Sequence, residues 1–365
     1  MKKWGQFWKT TLQLGVCVLL LGWVFAAIFY HQAQVIAEAK HWSSLSRLDR
    51  WKAAWHQGPQ ELWHTLKILD PGALTISLLL MGLILVLGVV RWQMVLKVQG
   101  FDIPFVRTAR ISIIAHFFNS FLLGSIGGDV LKAYYVARET HHKKTEAVVT
   151  VLVDRLLGLF SLLVFACLMM LPNLAMLTRT YKLRLLAAFV FAMTCGCGVI
   201  VGLSFWGGVS KRVPKARIWL RKLPKGDLLE KAVDACREFG KDKGFLLKIT
   251  LISVALNLVC VLHFLSLTWG FFLKVPVVPL SVIVPMVTSI SSLPISPPGG
   301  LGVRENLYVY ILHEIGIDPA KALLLSLIGY AGSLLWSGVG GLVYATQREK
   351  EHLQEIAHPP ENAID

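Results

Sequence analysis

Long apolar runs separated by charged segments form the main pattern along the chain. Six runs are long enough to cross a hydrocarbon core of about 30 Å as helices, since about 18 or more apolar residues suffice. These predicted spans cover residues 11–30, 72–90, 148–171, 184–206, 245–271 and 320–346. The pattern predicts an all-α, polytopic membrane protein with about six full spans.

Two further apolar runs are too short to span. Residues 111–123 reach only about 20 Å at about 1.5 Å per residue before the polar, glycine-rich stretch 124–129. Residues 280–293 are interrupted by Pro285 and followed by a second cluster of prolines and glycines. We expect two re-entrant hairpins, over 111–140 from the cytoplasmic side and over 280–316 from outside. Two ordinary kinked helices are the alternative.

The order of these parts repeats along the chain. Span, hairpin and span occur over 72–171 and again over 245–346, but the first unit enters from outside and the second from inside. Interrupted short segments at matching positions of an inverted-topology repeat are typical of transporter substrate sites. Backbone groups freed by Gly or Pro cannot face lipid. The hairpins are therefore expected to meet at a polar pocket near the middle of the bilayer.

The predicted membrane domain, 72–346, is preceded by an unusual amino-terminal region, 1–71, and followed by a short tail, 347–365. Three lysines precede the first apolar run and no small-residue cleavage site follows it, so we interpret the run as a signal anchor. Residues 31–70 are rich in tryptophan, with indoles on roughly one helical face, which favours an external interfacial segment. Gly58-Pro59 is expected to break that segment in two. The four indoles are Trp42, Trp51, Trp55 and Trp63.

Charge then sets the predicted orientation. Only 16% of the residues are charged, yet the net charge is +15. Basic residues concentrate at the amino terminus, over 91–144 and in the loop 207–247, and the stretch 207–248 alone holds twelve Lys or Arg. Because cytoplasmic loops are enriched in Lys and Arg, both termini are predicted to face the cytoplasm. The predicted location of the protein is the cytoplasmic (inner) membrane. The expected partner is a membrane lipid with an anionic head group rather than nucleic acid.

Cysteine and histidine add little chemistry. The six cysteines show neither a disulfide framework nor metal-ligand spacing, so no metal or cofactor is expected. His116, His263 and His313 are isolated and are interpreted as packed or interfacial side chains.

Candidate binding residues cluster at the predicted hairpin tips. In the first hairpin, we expect the glycines to let backbone N–H groups approach a phosphate and Lys132 to supply a positive charge, whereas Asp129 either contributes to the site or caps the helix that follows. Asp154 and Arg155 lie inside a span, where ionisable groups are costly; they are either functional or a structural pair. The remaining candidates of the first cluster are Asn119, Ser125, Gly127 and Gly128.

The second hairpin offers a matching set. Arg304 could bind phosphate bidentately. Glu305 could neutralise Arg304 in the unloaded state or carry a coupling proton, although adjacent helical residues need not pair directly. The backbone around the turn is supplied by Pro298, Gly299 and Gly300.

Three motifs together resemble the membrane domain of lysylphosphatidylglycerol synthases and their stand-alone relatives, the UPF0104 or flippase-like membrane proteins. These motifs are Ile126-Gly-Gly-Asp-Val-Leu-Lys132, Val153-Asp-Arg-Leu-Leu-Gly158 and Pro297-Pro-Gly-Gly-Leu-Gly-Val-Arg-Glu305. The resemblance covers residues 72–346 and implies a flippase-like fold and a lipid cargo. Members often carry Arg where this chain has Lys132, which keeps the charge but loses bidentate geometry. Full-length members add a soluble aminoacyl-transferase domain; only 347–365 follow the last predicted span, so no enzymatic activity is expected.

The sequence thus predicts a lipid flippase or translocase for a phosphate-bearing lipid, either a phospholipid or a polyprenyl-linked one. A membrane-embedded lipid-modifying enzyme, or a glycosyltransferase-associated protein of lipid-linked sugar assembly, is the main alternative. It would need acidic catalytic residues near the outer face, where no motif occurs. A scaffold would not require broken hairpins. Self-association and a separate lipid-modifying enzyme remain open as partners.

Overall fold

The computed structural model describes residues 26, 29, 30, 33, 44–120, 127–139, 144–206, 242–293, 296 and 300–357. The described part is all-α and contains no strand. Most of the first predicted span, the greater part of the basic loop and the end of the tail lie outside it. The helices are α1 Arg47–Ile68, α2 Pro71–Val98, α3 Phe105–Asn119, α4 Gly127–Glu139, α5 Lys144–Met170, α6 Leu174–Leu177, α7 Tyr181–Trp206, α8 Lys243–Gly270, α9 Val277–Ser291, α10 Val303–His313 and α11 Pro319–Ala357.

Five of the described helices are long and apolar enough to cross a membrane. These five membrane-length segments correspond to α2, α5, α7, α8 and α11, and they lie at the positions of the last five predicted spans. Large apolar side chains such as Leu79, Leu185 and Phe191 are exposed on their outer faces. Exposed apolar surface on this scale is expected where lipid, rather than water, is the solvent. The chain is therefore a multi-pass membrane protein.

Helices α2 and α8 form an antiparallel central pair. At one end the Asp70 N–H donates to the Gly270 carbonyl oxygen over 3.0 Å. About two turns further on, Ser77 Oγ and His263 Nδ1 are 2.9 Å apart, and near the other end Val95 and Phe245 share a buried cluster. Residues early in α2 thus face residues late in α8, and equivalent helices of the two halves run in opposite directions.

The first hairpin, α3 and α4, returns to the end of α2 from which it started. At its open end the Arg107 guanidinium Nε donates to Glu139 Oε1 over 2.7 Å. At its closed end the Gly128 N–H donates to Asn119 Oδ1 over 2.8 Å. Helix α5 then begins beside the last turns of α2, where Ala147 packs in one cluster with Trp92.

The second hairpin, α9 and α10, opens at the opposite end of the bundle. Both of its ends lie beside the connector between α5 and α7, a 3₁₀ turn (Leu171–Asn173) followed by α6. Asn173 Nδ2 donates to the Val278 carbonyl oxygen over 3.0 Å, and Thr180 Oγ1 lies 3.3 Å from the Tyr310 hydroxyl. Pro285 does not interrupt α9, which continues through it to Ser291.

The packing of the two halves follows the same scheme. Helix α3 packs on α11, and its counterpart α9 packs on α5. Helix α4 packs against α5 as α10 packs against α11, and α2 contacts α3 and α5 as α8 contacts α9 and α11. Together with the antiparallel central pair, this correspondence confirms the inverted-topology repeat with two re-entrant hairpins.

The tryptophan-rich segment departs from the sequence prediction. Gly58 and Pro59 do not break it, because α1 continues through both residues. An interior proline costs about 3 kcal/mol in an isolated helix, but packing can offset that cost. Here a side chain at Gly58 would collide with the Phe29 ring, so the glycine lets α1 pack closely against Phe29. Trp51 and Trp55 of α1 also contact aromatic rings there. The ring centroids of Trp51 and Tyr30 are 4.8 Å apart, and those of Trp55 and Phe29 are 5.7 Å apart.

The opposed hairpins predict a specific labelling pattern. In a variant with all six cysteines replaced, single cysteines at the exposed positions Asp102 and Arg138 should react with an impermeant maleimide from one side of the membrane. Cysteines at Val278 and His313, which are also exposed, should react only from the other side. Labelling of all four positions from the same side would contradict the inverted arrangement.

Candidate functional site

The tip of the first hairpin is held by a very close approach of backbones. A side-chain carbon at Gly128 would overlap the carbonyl group of Ala115 and crowd the Asn119 amide. Only a glycine therefore lets the start of α4 lie against the end of α3. Gly127 is the first described residue of α4, whereas Ser125 lies outside the described residues.

Asp129 forms an ion pair with Arg155 of α5. Of the two roles considered for Asp129, the helix cap is wrong, because α4 already includes Gly127 and Asp129 lies in its first turn. A carboxylate at this place still interacts favourably with the positive end of the helix dipole. Its main structural consequence is to tie the hairpin to the neighbouring spanning helix.

Asp154 pairs with Arg91 of α2, not with its neighbour Arg155. The Arg91 Nε to Asp154 Oδ1 distance is 2.8 Å, and the two side chains are only 14% and 9% exposed. Gly158, one turn beyond Asp154, leaves room for the guanidinium, whose nitrogens lie 2.6–2.7 Å from where a side-chain carbon would be. From the sequence, Arg91 is one of the basic residues over 91–144 that set the predicted orientation, and its pairing with Asp154 was not predicted.

This buried pair should be strongly coupled. We expect Asp154→Asn to destabilise the fold by about 3 kcal/mol, because it leaves the Arg91 charge largely buried without a counter-ion. The Arg91→Gln and Asp154→Asn double variant should be less destabilised than the sum of the single variants, with a coupling of about 2 kcal/mol or more. Unfolding by denaturant in detergent would measure both.

The matched control is the Arg107–Glu139 pair, whose side chains are 25% and 31% exposed. Solvent screening should limit its coupling to about 1 kcal/mol or less. Equal coupling in the two pairs would contradict the difference in burial that the prediction uses.

Lys132 supplies the excess charge of the first cluster. Its Nζ lies 4.7 Å from the centroid of the Trp92 ring, and Trp92 is fully buried. Arg91 and Arg155 each have a carboxylate partner, so the described cluster holds three cations against two carboxylates. An ammonium on an aromatic face keeps its donors available for an anion.

Arg304 and Glu305 pair directly in the second hairpin. Glu305 is fully buried, and its Oε2 accepts a hydrogen bond from the Gly302 N–H over 2.6 Å. Gly300 and Gly302 have φ of +71° and +84°, a backbone region that favours glycine. The turn that places the pair thus depends on this glycine-rich sequence. Pro298 and Gly299 lie outside the described residues.

The Arg304 side chain packs against α11. Its Nε donates to Ser326 Oγ over 3.3 Å, and its guanidinium carbon lies 4.2 Å from the centroid of the Tyr330 ring. A stacked guanidinium keeps the edge that recognises a phosphate or carboxylate. In this structure the Glu305 carboxylate occupies part of that edge.

Tyr330 also reaches the tip of the first hairpin. Its hydroxyl donates to the Ser120 carbonyl oxygen over 3.5 Å, and Ser120 Oγ lies 2.6 Å from Ser337 Oγ. His116 Nε2 lies 3.3 Å from Ser333 Oγ on the same face of α11. A line of polar groups therefore runs between the hairpins inside an otherwise apolar bundle.

The candidate residues are thus divided between two places. Lys132 lies on α4, which packs on α3 and α5, whereas Arg304 lies on α10, which packs on α9 and α11. The contact of α3 with α11 links the two, with Tyr330 at the link. Sequence reasoning missed Tyr330 and Ser337, since one tyrosine or serine in an apolar run carries no signal by itself.

The three isolated histidines behave as interpreted from the sequence. His116 and His263 are hydrogen-bonded within the bundle, and His313 lies at the end of α10. Among the residues that the structure describes, no group of three or more His, Cys, Asp or Glu side chains could hold a metal ion.

Comparison with known proteins gives two findings. A family described as "Lysylphosphatidylglycerol synthase TM region" matches residues 50–338. A curated relative, a UPF0104 membrane protein of Methanothermobacter thermautotrophicus, is 26% identical over 310 residues, which cover 77% of this chain and 85% of the relative.

Proposed function

The chain belongs to the lysylphosphatidylglycerol synthase TM region family, and from that premise we propose that it moves a phosphate-bearing lipid across the cytoplasmic membrane. The cargo is a phospholipid or a polyprenyl-linked lipid. Its head group follows the polar line between the hairpins while its tails stay in the bilayer. Both termini of the chain face the cytoplasm in this proposal.

The observation that carries the proposal is the charged and polar line through Tyr330, between two hairpins that open at opposite ends. Ionisable groups at membrane depth are costly, and they commonly mark ion or substrate pathways. If the charged residues of the first cluster only stabilised the fold, paired charges would be enough. The cluster nevertheless holds one cation more than its carboxylates, at Lys132. An anionic head group would neutralise that charge.

The two clusters differ in charge, which suggests two successive stations for the head group. At the first station Lys132 forms no ion pair with a described residue, although it interacts electrostatically with Asp129 on the same helix. At the second station Arg304 is neutralised by Glu305, so a phosphate must displace this carboxylate to bind the guanidinium. Glu305 therefore keeps the empty station neutral and makes release of the head group easier.

The inverted repeat supplies the alternation between the two sides. Each hairpin lies against a long helix of the other half, α3 on α11 and α9 on α5. A small rocking of one half against the other would open the polar line to one side while closing it to the other. Tyr330 would be the dividing point, because it contacts both the tip of the first hairpin and Arg304.

A reconstituted system tests the proposal directly. Purified protein in liposomes should accelerate the exchange of head-group-labelled phosphatidylglycerol, or of a labelled polyprenyl-phosphate lipid, between leaflets. Protein-free liposomes and liposomes holding heat-denatured protein are the controls. If folded protein accelerates the exchange of neither lipid class, the proposal fails.

A further inference from the structure

A groove lies on the outer flank of the bundle, away from the polar line. Helices α2, α3 and α11 enclose a groove of about 490 Å³ with an almost wholly apolar lining. Leu79 and Val89 mark its extent along α2, Val106 lies on its α3 side, and Trp336 of α11 lines it as well. Val106 and Leu79 are more than 60% exposed, so the groove is open toward lipid.

The length of the groove matches one leaflet. From Leu79 to Val89 it follows α2 for ten residues, or about 15 Å at about 1.5 Å per residue. That is about half of a hydrocarbon core of about 30 Å. Trp336 is anchored in this wall, because its indole N–H donates to the Leu78 carbonyl oxygen over 3.2 Å and its ring packs over Gly82.

The end of the groove nearest the start of α3 carries a positive charge. Arg110 lines it and is exposed, and among the described residues no ion pair engages Arg110. By contrast Arg107, one turn earlier on the same helix, is paired with Glu139. Long basic side chains near a helix end can reach the head-group region while their stems stay in the apolar layer.

The groove also holds an unused hydrogen-bonding group. Ser112 lines it, and the Ser112 hydroxyl is buried without a hydrogen-bond partner. Buried polar atoms are usually satisfied, so an orphaned hydroxyl beside a cavity needs an explanation. A lipid oxygen at the level of the glycerol backbone would provide its acceptor.

We propose that this groove binds one acyl chain of an anionic glycerophospholipid from the leaflet at the α3 entrance, with the lipid phosphate on Arg110. The site is separate from Lys132 and Arg304, so it holds whether or not the chain translocates lipid. The charge of Arg110 favours an anionic phospholipid over a zwitterionic one, whereas the length of the groove and the Ser112 hydroxyl fit the acyl chain and glycerol oxygens that both classes share.

Native mass spectrometry of the full chain in mild detergent tests the site. Wild-type protein mixed with phosphatidylglycerol or phosphatidylcholine should retain the anionic lipid preferentially. Arg110→Gln should lower phosphatidylglycerol retention by about three- to tenfold, the range expected for loss of one charge-assisted contact. Val86→Trp, which fills the groove at a position that is 47% exposed, should lower the retention of both lipids.

The matched controls lie on α7, which does not line the groove. Arg184→Gln removes another exposed arginine, and Val199→Trp adds the same bulk at an exposed apolar position. Both should leave retention unchanged. Equal retention of the two lipids by the wild-type protein would mean that only ordinary annular lipid is bound, and it would overturn the site. The site would also be overturned if the Arg110→Gln and Val86→Trp variants retained as much phosphatidylglycerol as the wild-type protein.

Photolabelling adds an assay that does not depend on a variant's folding. Phosphatidylglycerol carrying a diazirine on one acyl chain should label peptides of α2 and α3 in the wild-type protein more than peptides of α7. Uniform labelling of all three helices would contradict the proposal.

Discussion

Lys132→Gln and Arg304→Gln should each slow lipid exchange in proteoliposomes by about ten- to a hundredfold. Each change removes a charged donor to the phosphate, and such contacts contribute about 1.5–3 kcal/mol, with about 1.4 kcal/mol for each factor of ten. Lys132→Arg should keep most of the activity because it keeps the charge. Arg304→Lys should keep less, since the stack on Tyr330 and the bidentate edge are lost.

The controls for this series are exposed basic residues outside the polar line. Lys97→Gln on α2 and Arg179→Gln beside α6 remove the same charge and should exchange lipid at the wild-type rate. If the exchange rates of the control variants fall as far as those of the site variants, surface charge rather than a head-group pathway explains the activity. If Lys132→Gln and Arg304→Gln both keep the wild-type rate, the two stations are wrong.

Glu305→Gln separates binding from turnover at the second station. The amide keeps the size of the side chain but no longer neutralises Arg304. We expect tighter retention of phosphatidylglycerol, by about tenfold, together with slower exchange between leaflets. Faster exchange with unchanged retention would contradict the role assigned to this carboxylate.

Gly340→Val should be among the most destabilising single changes in the bundle, at about 3 kcal/mol or more. A side-chain carbon at Gly340 would overlap the carbonyl oxygen of Ile113, so α11 could no longer lie against α3. Overpacking against side chains costs about 1–3 kcal/mol, and backbone atoms yield less readily. The same displacement should separate Ser120 from Ser337 and slow lipid exchange.

Gly338→Val is the matched control, two residues away on the same helix. Nothing lies within 4 Å of a side-chain carbon at Gly338. Its unfolding free energy should remain within about 1 kcal/mol of wild type, because only helix propensity and open space are involved. Denaturant titrations in detergent would compare the two variants, and equal destabilisation would contradict the close approach of α3 and α11.

Much of this fold could be predicted from the chain itself. The lengths of apolar runs predicted the five described spans, since a helix must be long enough to satisfy its own backbone across the bilayer. The two short, glycine- and proline-rich runs predicted both hairpins and their opposed entry. The Gly58-Pro59 break was wrong because turn propensity at those residues does not include the packing of Phe29 over Gly58.

The candidate site was predicted less completely. Local motifs identified Lys132, Asp129, Asp154, Arg155, Arg304 and Glu305 as candidates, because charged residues at membrane depth are conspicuous. The pairing of these residues was not predicted, because the partners are far apart in the sequence. Asp154 bonds to Arg91, 63 positions away, and Arg155 bonds to Asp129, 26 positions away. Tyr330 bonds to Ser120 across 210 positions, and no sequence pattern indicates this contact.

The sequence by itself determined which segments enter the membrane, how the two halves repeat and where charge is placed within them. Those properties follow from run length and local backbone chemistry. Only the tertiary structure decided which charges neutralise each other, where a cation is left over, and that one tyrosine joins the two hairpins. Such contacts depend on how helices cross, and the crossing is set by glycines such as Gly128 and Gly340 that allow backbones to touch.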